Sequence, residues 1–472
     1  MRSITRARRL LAAAALSALV LTACGGGGET APEPDDSAAE PAPAGDVTEV
    51  KVWIAFTDTR LDWTQGVAEE FNAQLDGYRI VVEGYASYEE LLDATLLAFD
   101  QGTPPAVMQY FEAATTDAIN AVSASGDPVF ANITERIAGR SDILGVPVVI
   151  DDVVEAARGY YTIDGELRSM PWNTSSAIMF TNTTLAEAGG VTEIPTTWQE
   201  LEAACDTFMA AGTGADACVT WPNHGWFFEQ TIAQQGEPYV NNDNGRSAVP
   251  TEVRIDQPAM VDYLTFWSRL EDEGHYVYTG TQRDWDGTYN LFASQQVPFL
   301  IYSSSDTTLL TDEGKNGGFD VVASFMPRNA DRTDGGGNII GGASLWLVNG
   351  LETGAEDAAL AFLNYLNNPE NAAEWHKVTG YIPITEASVA LLEAEGWFEE
   401  NPNSRVANDQ LAAAPATAAT AGALVGNLPG IRNVVTEAAE AILVNDLDPA
   451  TRLAEAQAAA QQLLDEFNAI YG

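Results

Sequence analysis

Lysine is nearly absent from this chain of 472 residues, occurring at Lys51, Lys315 and Lys377 and nowhere else. Basic residues number 22 in all, against 68 acidic ones, for a formal net charge of −46. No basic stripe offers a groove for a phosphate backbone, which excludes nucleic-acid binding. Histidine is as scarce. His224, His275 and His376 lie too far apart for a local metal motif. Cysteine occurs at Cys24, Cys205 and Cys218, with no CxxC pair. The apolar run from Leu10 to Val20 is too short to span a membrane, and no other stretch is long and apolar enough. There is no GxSxG elbow and no glycine-rich P-loop with lysine. Asp284-Trp-Asp-Gly287 and Asn242-Asp-Asn-Gly245 lack the full ligand spacing of a calcium loop and read as turns. No cofactor motif remains.

What is present starts at the N-terminus. Arg2, Arg6, Arg8 and Arg9 precede the apolar run, which ends in Leu21-Thr22-Ala23-Cys24. A basic start, a short apolar run and small residues at its end form a secretory signal. Small residues directly before a cysteine resemble a bacterial lipobox. That resemblance implies cleavage before Cys24, acylation of its thiol, and a mature chain held by lipid on the extracytoplasmic face of the cell membrane. Residues 1–24 are therefore expected to be a lipoprotein signal peptide with its lipobox. Residues 25–46, four glycines and then Pro, Ala, Glu and Asp, lack core-forming side chains and are expected to be a flexible linker. About 426 residues remain, more than one core usually supports, so two lobes are expected. A hydrophobic content of 46% separates them from a disordered acidic tail. The acidity serves solubility, as in a salty habitat. An exported location and local spacing make a Cys205–Cys218 disulfide an expectation.

Along the mature chain, strand and helix patterns alternate. Glu49–Phe56 reads as a strand, Arg60–Leu75 as a helix and Tyr78–Glu83 as a second strand. Ser87 and Glu90 form a capping box opening a helix that ends near Gly102, and Ala106–Tyr110 is a short buried strand. Strand–helix–strand–helix–strand predicts an α/β fold with a helix-covered parallel sheet. Met170–Thr181 reads as a strand with a polar middle. Thr197 and Glu200 form a second capping box for a helix towards Ala211, and helical periodicity returns at 358–367 and 452–470. No short repeat appears.

Five segments, Met170-Pro-Trp-Asn-Thr-Ser-Ser176, Ile339-Ile-Gly-Gly-Ala-Ser-Leu-Trp346, Asn368-Pro-Glu-Asn-Ala-Ala-Glu-Trp-His376, Thr379-Gly-Tyr-Ile-Pro-Ile-Thr385 and Gly426-Asn-Leu-Pro-Gly-Ile-Arg432, carry a resemblance in order over nearly the whole mature chain. They make it similar to the extracytoplasmic solute-binding proteins of ABC importers, and within these to the sn-glycerol-3-phosphate-binding family. The resemblance implies a two-lobe, periplasmic-binding-protein-like α/β fold with a ligand cleft between the lobes. It implies lobe 1 at 47–172 with 303–350, lobe 2 at 173–302 with 351–472, and hinge crossings near Trp172, Tyr302 and Gly350. It further implies a monomer that delivers a small phosphate ester to membrane permease subunits, without acting as an enzyme.

The ligand contacts it implies are Tyr88, Glu112, Ser175, Trp226, Ser303, Gly342, Tyr381 and Arg432. Arginine offers phosphate a rigid, permanently charged fork. Ser303, the Gly342 N–H and Tyr381 add neutral donors, while Glu112, acceptor-only when ionised, suits glycerol hydroxyls and repels phosphate. The expected pocket is thus cationic at one end and anionic at the other, with Arg432 free of any nearby acid before Glu437. Asn223 stands where the family's glycerol-3-phosphate binders carry a second tryptophan, so a glycerophosphodiester such as glycerophosphocholine is expected as well, its head group extending towards Asn223. An oligosaccharide is the alternative ligand, and an anchored hydrolase with a carboxylate pair the alternative class.

Overall fold

The computed structural model describes residues 47–123, 125–332 and 336–472; the expected signal segment with Cys24, and the linker 25–46, lie outside them. Val50, Val52 and Ile54 share one buried face, with exposed Lys51 and buried Trp53 on the other, and the chain extends there as β1 (Thr48–Ile54). Helix α1 (Thr59–Asn72) starts where the Asp58 side chain accepts the Arg60 N–H. After β2 (Tyr78–Gly84), α2 (Tyr88–Asp100) is capped by Ser87, whose hydroxyl accepts the Glu90 N–H at 3.1 Å. β3 (Val107–Phe111) follows, and both β2 and β3 lie parallel to β1.

The next elements are β4 (Met170–Ser175), β5 (Ala177–Asn182), α3 (Trp198–Ala211), β6 (Val219–Thr220) and α4 (Gly225–Gln234). Then come α5 (Pro258–Asp272), α6 (Trp285–Ala293), β7 (Phe299–Ser303), β8 (Val321–Phe325) and β9 (Gly341–Leu347). Helices α7 (Thr353–Leu366), α8 (Leu428–Asn445) and α9 (Pro449–Tyr471) complete the elements used below. Thr197 caps α3 as its spacing to Glu200 predicts, accepting the Glu200 N–H at 3.2 Å. Cys205 of α3 and Cys218 beside β6 are joined as a disulfide, their Cα atoms 5.3 Å apart.

The strands form two sheets, β2-β1-β3-β9-β4 and β6-β7-β5-β8. Each has its own core. Val52, Ile54 and Ile80 of the first pack with Phe71 of α1 and with Leu360 and Phe362 of α7. Phe180 and Leu300 of the second pack with Phe292 of α6. Each side chain so buried contributes roughly 1.5–3 kcal/mol. A third, larger cluster joins the inner faces, from Met108 and Trp346 across to Met179, Trp226 and Ile431. The architecture is α/β in two lobes.

Three expectations need correction. The single strand at Met170–Thr181 breaks at Ser176, with β4 in the first sheet and β5 in the second. The Ser176 N–H donates to Ser304 Oγ and its hydroxyl to the Ile339 carbonyl, at 3.1 and 3.2 Å, so the link is held in place as the chain changes sheet. All residues of both strands are buried, so polarity gives no sign of the change of partner. The lobe ranges also shift. β8, inside 303–350, pairs antiparallel with β5 in the second sheet, and α7, inside 351–472, packs on the first. The sheets accordingly exchange chain at Ser176 and between β8 and β9, not at Tyr302 or Gly350. Ladder pairing of β5 with β8 outweighs nearness in sequence.

Candidate functional site

β1, β2 and β3 run parallel, so their carboxyl ends share one edge, where open α/β sheets receive ligands. Residues just past these ends (Phe56, Tyr88, Phe111 and Glu112) face a cavity of about 620 Å³, a size usual for small-molecule sites. The opposite wall brings Tyr302, Ser303 and Asp306 from the end of β7, His224 and Trp226 from the start of α4, Arg283 to Asp286 leading into α6, and Arg432 of α8. All eight residues named from the sequence line this one cavity.

Local geometry explains several of them. Gly342 has φ +101°, and a Cβ there would lie 1.8 Å from the Asn173 carbonyl oxygen, so only glycine fits. A Cβ on Gly341 would strike the Trp226 indole at 2.4 Å; the ring lies against that glycine and donates from Nε1 to the Ile340 carbonyl at 3.2 Å. Tyr88 opens α2 and stacks on Phe111 with centroids 5.3 Å apart. Its hydroxyl accepts from Asn173 Nδ2 at 2.7 Å, while Asn173 Oδ1 accepts from Gln109 Nε2 at 2.8 Å. Tyr381 stacks on Trp375 at 5.6 Å. Ser303 accepts from the N–H and hydroxyl of Ser305 at 3.2 and 2.9 Å. Ser175 is buried at the end of β4.

Arg432 corrects the expected electrostatics. Its Nε and Nη2 donate to the two oxygens of Glu229 at 2.6 and 3.0 Å, and Nη2 also donates to Glu112 Oε1 at 2.6 Å. All three side chains are buried, near 5% exposed. Glu112 therefore sits beside the arginine, not at the far end of the cavity, and Arg432 has two acid partners distant in sequence. The reason is desolvation: a guanidinium this deep requires charge compensation, which α4 and the end of β3 provide. Burial drives the Glu229 carboxyl upward, against the pull of Arg432. Nη1 donates to no group among the described residues, and Glu112 Oε2 accepts from none.

The Asn223 expectation also fails. Its Nδ2 donates to the Thr436 carbonyl of α8 at 3.1 Å and its own carbonyl accepts the Arg283 N–H at 2.9 Å, so it supports the wall from behind. Trp221 is core, packed on Trp267 and Tyr276. The indole that accompanies Trp226 at the cavity comes instead from Trp285, 6.5 Å away between centroids.

Other lining residues were not singled out from the sequence. Arg60 lies over Phe56 and joins Asp58 and, at 3.5 Å, Asp306, whose carboxyl burial pushes up. Arg283 reaches Glu89 at 3.3 Å. Arg60–Asp306, Arg283–Glu89 and Arg432–Glu112 thus all cross the cavity. His224 is held well below the ordinary histidine range by burial, helped by Arg432 and Arg283. Its Nδ1 accepts the Trp226 N–H at 3.1 Å, so the neutral ring carries its proton on Nε2, a donor at the cavity wall. No local pattern in the sequence marks Arg60 or Arg283 as cavity residues.

A family model described as bacterial extracellular solute-binding protein matches residues 66–406. The chain belongs to that family. It is 30% identical to the sn-glycerol-3-phosphate-binding periplasmic protein UgpB of Yersinia pseudotuberculosis over 427 residues, covering 89% of this chain and 93% of the relative. The Yersinia pestis protein of the same name is 31% identical over the same length and coverage. Among solved structures, UgpB from Mycobacterium tuberculosis in complex with glycerophosphocholine superposes with a TM-score of 0.71 at 18% identity, covering 89% of this chain and 98% of that one. The cyclic alpha-maltosyl-1,6-maltose binding protein from Arthrobacter globiformis gives 0.68 at 20% identity, covering 89% and 99%. These structures share the two-lobe fold. Membership makes the protein a solute-binding component of an ABC importer, with permease subunits as partners and an extracytoplasmic place of work. No helix among the described residues is long and apolar enough to cross a membrane.

Proposed function

We propose that this protein captures a glycerophosphate ester, glycerol-3-phosphate or a glycerophosphodiester such as glycerophosphocholine, and hands it unchanged to its permease. The observation that carries the reading is Arg432, lining the cavity with Nη1 unengaged among the described residues, in a chain whose relatives over 89% of its length are named for glycerol-3-phosphate. Nη1, the Ser303 hydroxyl, the Gly342 N–H and His224 Nε2 supply donors for phosphate oxygens, while Glu112 Oε2, Tyr88 and Ser175 take glycerol hydroxyls. Trp226 and Tyr381 cover the carbon skeleton. Ligand bridging both walls favours the closed arrangement by the contacts it makes only there. Acylation at Cys24 tethers the carrier beside the permease.

The second reading is an oligosaccharide. Carboxylates and aromatic walls suit sugar rings, and the Arthrobacter neighbour is named for a cyclic maltosyl-maltose. Calorimetric titration with glycerol-3-phosphate, glycerophosphocholine and maltose separates the two. The proposal expects saturable binding of a phosphate ester without turnover, and loss of that binding in Arg432→Ala. Binding of maltose alone, or hydrolysis of the diester, overturns it.

A further inference from the structure

Of the three histidines, His224 and His376 each engage a backbone group through Nδ1, the Trp226 N–H and the Tyr381 carbonyl. His275 differs. Its side chain is only 6% exposed and Nδ1 is sealed from solvent, yet neither ring nitrogen makes a hydrogen bond among the described residues. A buried ring in this state is costly unless another ligand satisfies it.

Two carboxylates face the ring. Glu273 Oε2 lies 3.4 Å from Nδ1, and Asp206 Oδ1 lies 3.5 Å from Nε2. One ligand atom from each of the three residues falls within 4.8 Å of the other two. Both separations exceed a good hydrogen bond of about 2.7–3.2 Å. They match two ligands each about 2.1 Å from one ion at a tetrahedral angle, which lie about 3.4 Å apart.

The backbone holds the three in place. Helix α5 ends at Glu273, and Gly274, with φ +70°, turns the chain so that His275 returns beside it. The Gly274 N–H donates to the Glu271 carbonyl at 2.9 Å and the His275 N–H to the Leu270 carbonyl at 2.8 Å, which locks that turn. Asp206 follows Cys205 in α3. The disulfide partner, Cys218, donates its N–H to the His275 carbonyl at 2.8 Å, and Val219 donates to the same oxygen at 2.9 Å. The Asp206 and Glu273 side chains are 75% and 48% exposed, so both are free to swing onto an ion. None of the three lines the cavity between the lobes.

We propose that Asp206, Glu273 and His275 bind a divalent transition-metal ion such as Zn2+, which ties α3 to the end of α5 beside β6. One imidazole with two carboxylates suits a borderline ion and disfavours Ca2+ or Mg2+, which take oxygen shells. Three protein ligands leave a position for water. The chain's acidity gathers cations over its whole surface, and the imidazole is what sets this place apart. The site does not depend on which solute the cavity takes.

The test uses the full exported chain, its disulfide intact and without a histidine tag, stripped with EDTA and titrated calorimetrically with Zn2+. A single saturable site is expected. An ion that binds only the folded chain should raise the melting temperature by about 3 °C at a hundredfold excess over its dissociation constant. Asp206→Asn and Glu273→Gln, both surface substitutions, should weaken binding roughly tenfold or more. Asp272→Asn, an exposed acid next to the cluster, should leave it unchanged. With only three histidines in the chain, imidazole NMR signals are readily assigned. Zn2+ should shift one ring, and His275→Gln should abolish that signal. A titration without a saturable site, equal weakening by Asp272→Asn and Asp206→Asn, or no ring shift leaves an imidazole flanked by two acids and overturns the proposal.

Discussion

Glu229→Gln is the most discriminating change the site offers, because it should move stability and affinity in opposite directions. The substitution keeps size and one acceptor but deletes one of two charges compensating a guanidinium about 5% exposed. Removing one partner of a buried ion pair costs about 3–5 kcal/mol when the other is left alone. Here Glu112 remains 2.6 Å from Nη2, the glutamine carbonyl still accepts one hydrogen bond, and the neutral amide escapes the desolvation that burdens the buried carboxylate. The expected loss is therefore smaller, about 2 kcal/mol, read from urea unfolding of the ligand-free protein at pH 7. Affinity should rise at the same time. A unit charge some distance behind the arginine opposes a bound phosphate by about 1–2 kcal/mol at an effective dielectric near 20, so roughly tenfold tighter binding of a phosphate ester is expected. Unchanged stability, or weaker phosphate binding by a folded variant, would refute the view that these carboxylates hold and neutralise Arg432.

Asp117→Asn tests a half-buried acid, whose carboxyl is pushed up to about 7 by desolvation and whose Oδ2 has no hydrogen-bond partner among the described residues. A raised value in the folded state means the native protein holds the proton more tightly, so this stabilisation is complete below about pH 4 and is lost as pH rises towards 7. The variant should flatten that slope and gain about 1–2 kcal/mol at pH 8 in unfolding experiments; an unaltered pH profile argues against it. Gly342→Ala should cost about 3 kcal/mol or more and reduce soluble yield, since its Cβ meets a carbonyl oxygen and its φ is +101°; a melting temperature like that of the parent would contradict the geometry. Cys205→Ser with Cys218→Ser opens a loop with a sequence separation of 13 and should lower stability by about 2–3 kcal/mol in chemical denaturation; reduction of the parent by a thiol should reproduce the loss.

Elements set by local rules were legible in the sequence to within a few residues. Ser87 and Thr197 announce α2 and α3 through a capping side chain three residues before a glutamate, and both caps form. β1 shows its inward face through Val50, Val52 and Ile54. What depends on pairing was not legible. Met170–Thr181 is buried throughout, so nothing marks Ser176 as the point where one ladder ends and another begins. The helix Thr353–Leu366 shows its apolar face without showing which sheet receives it. The eight cavity residues came from ordered resemblance, and Gly342 is the one whose chemistry alone gives a reason. Arg432 was recognisable as unusual, but its partners lie 203 and 320 residues away in sequence, beyond any local pattern. Asn223 misled because adjacency to Trp226 in sequence does not survive the turn into α4: one points to the cavity and the other to Thr436. Trp285 enters the same space from a different segment.

The Glu112–Arg432–Glu229 cluster also bears on how the chain matures. During synthesis, both acids appear long before their counter-charge, which comes with α8 near the C-terminus. Until then, packing them away from water strands two anions in an apolar setting, a step physics opposes. The inner faces of the lobes are thus kept apart by hydration through most of translation, and consolidation waits for the last helices. A chain ending before residue 432 should stay open and susceptible to proteases however well its first sheet has folded.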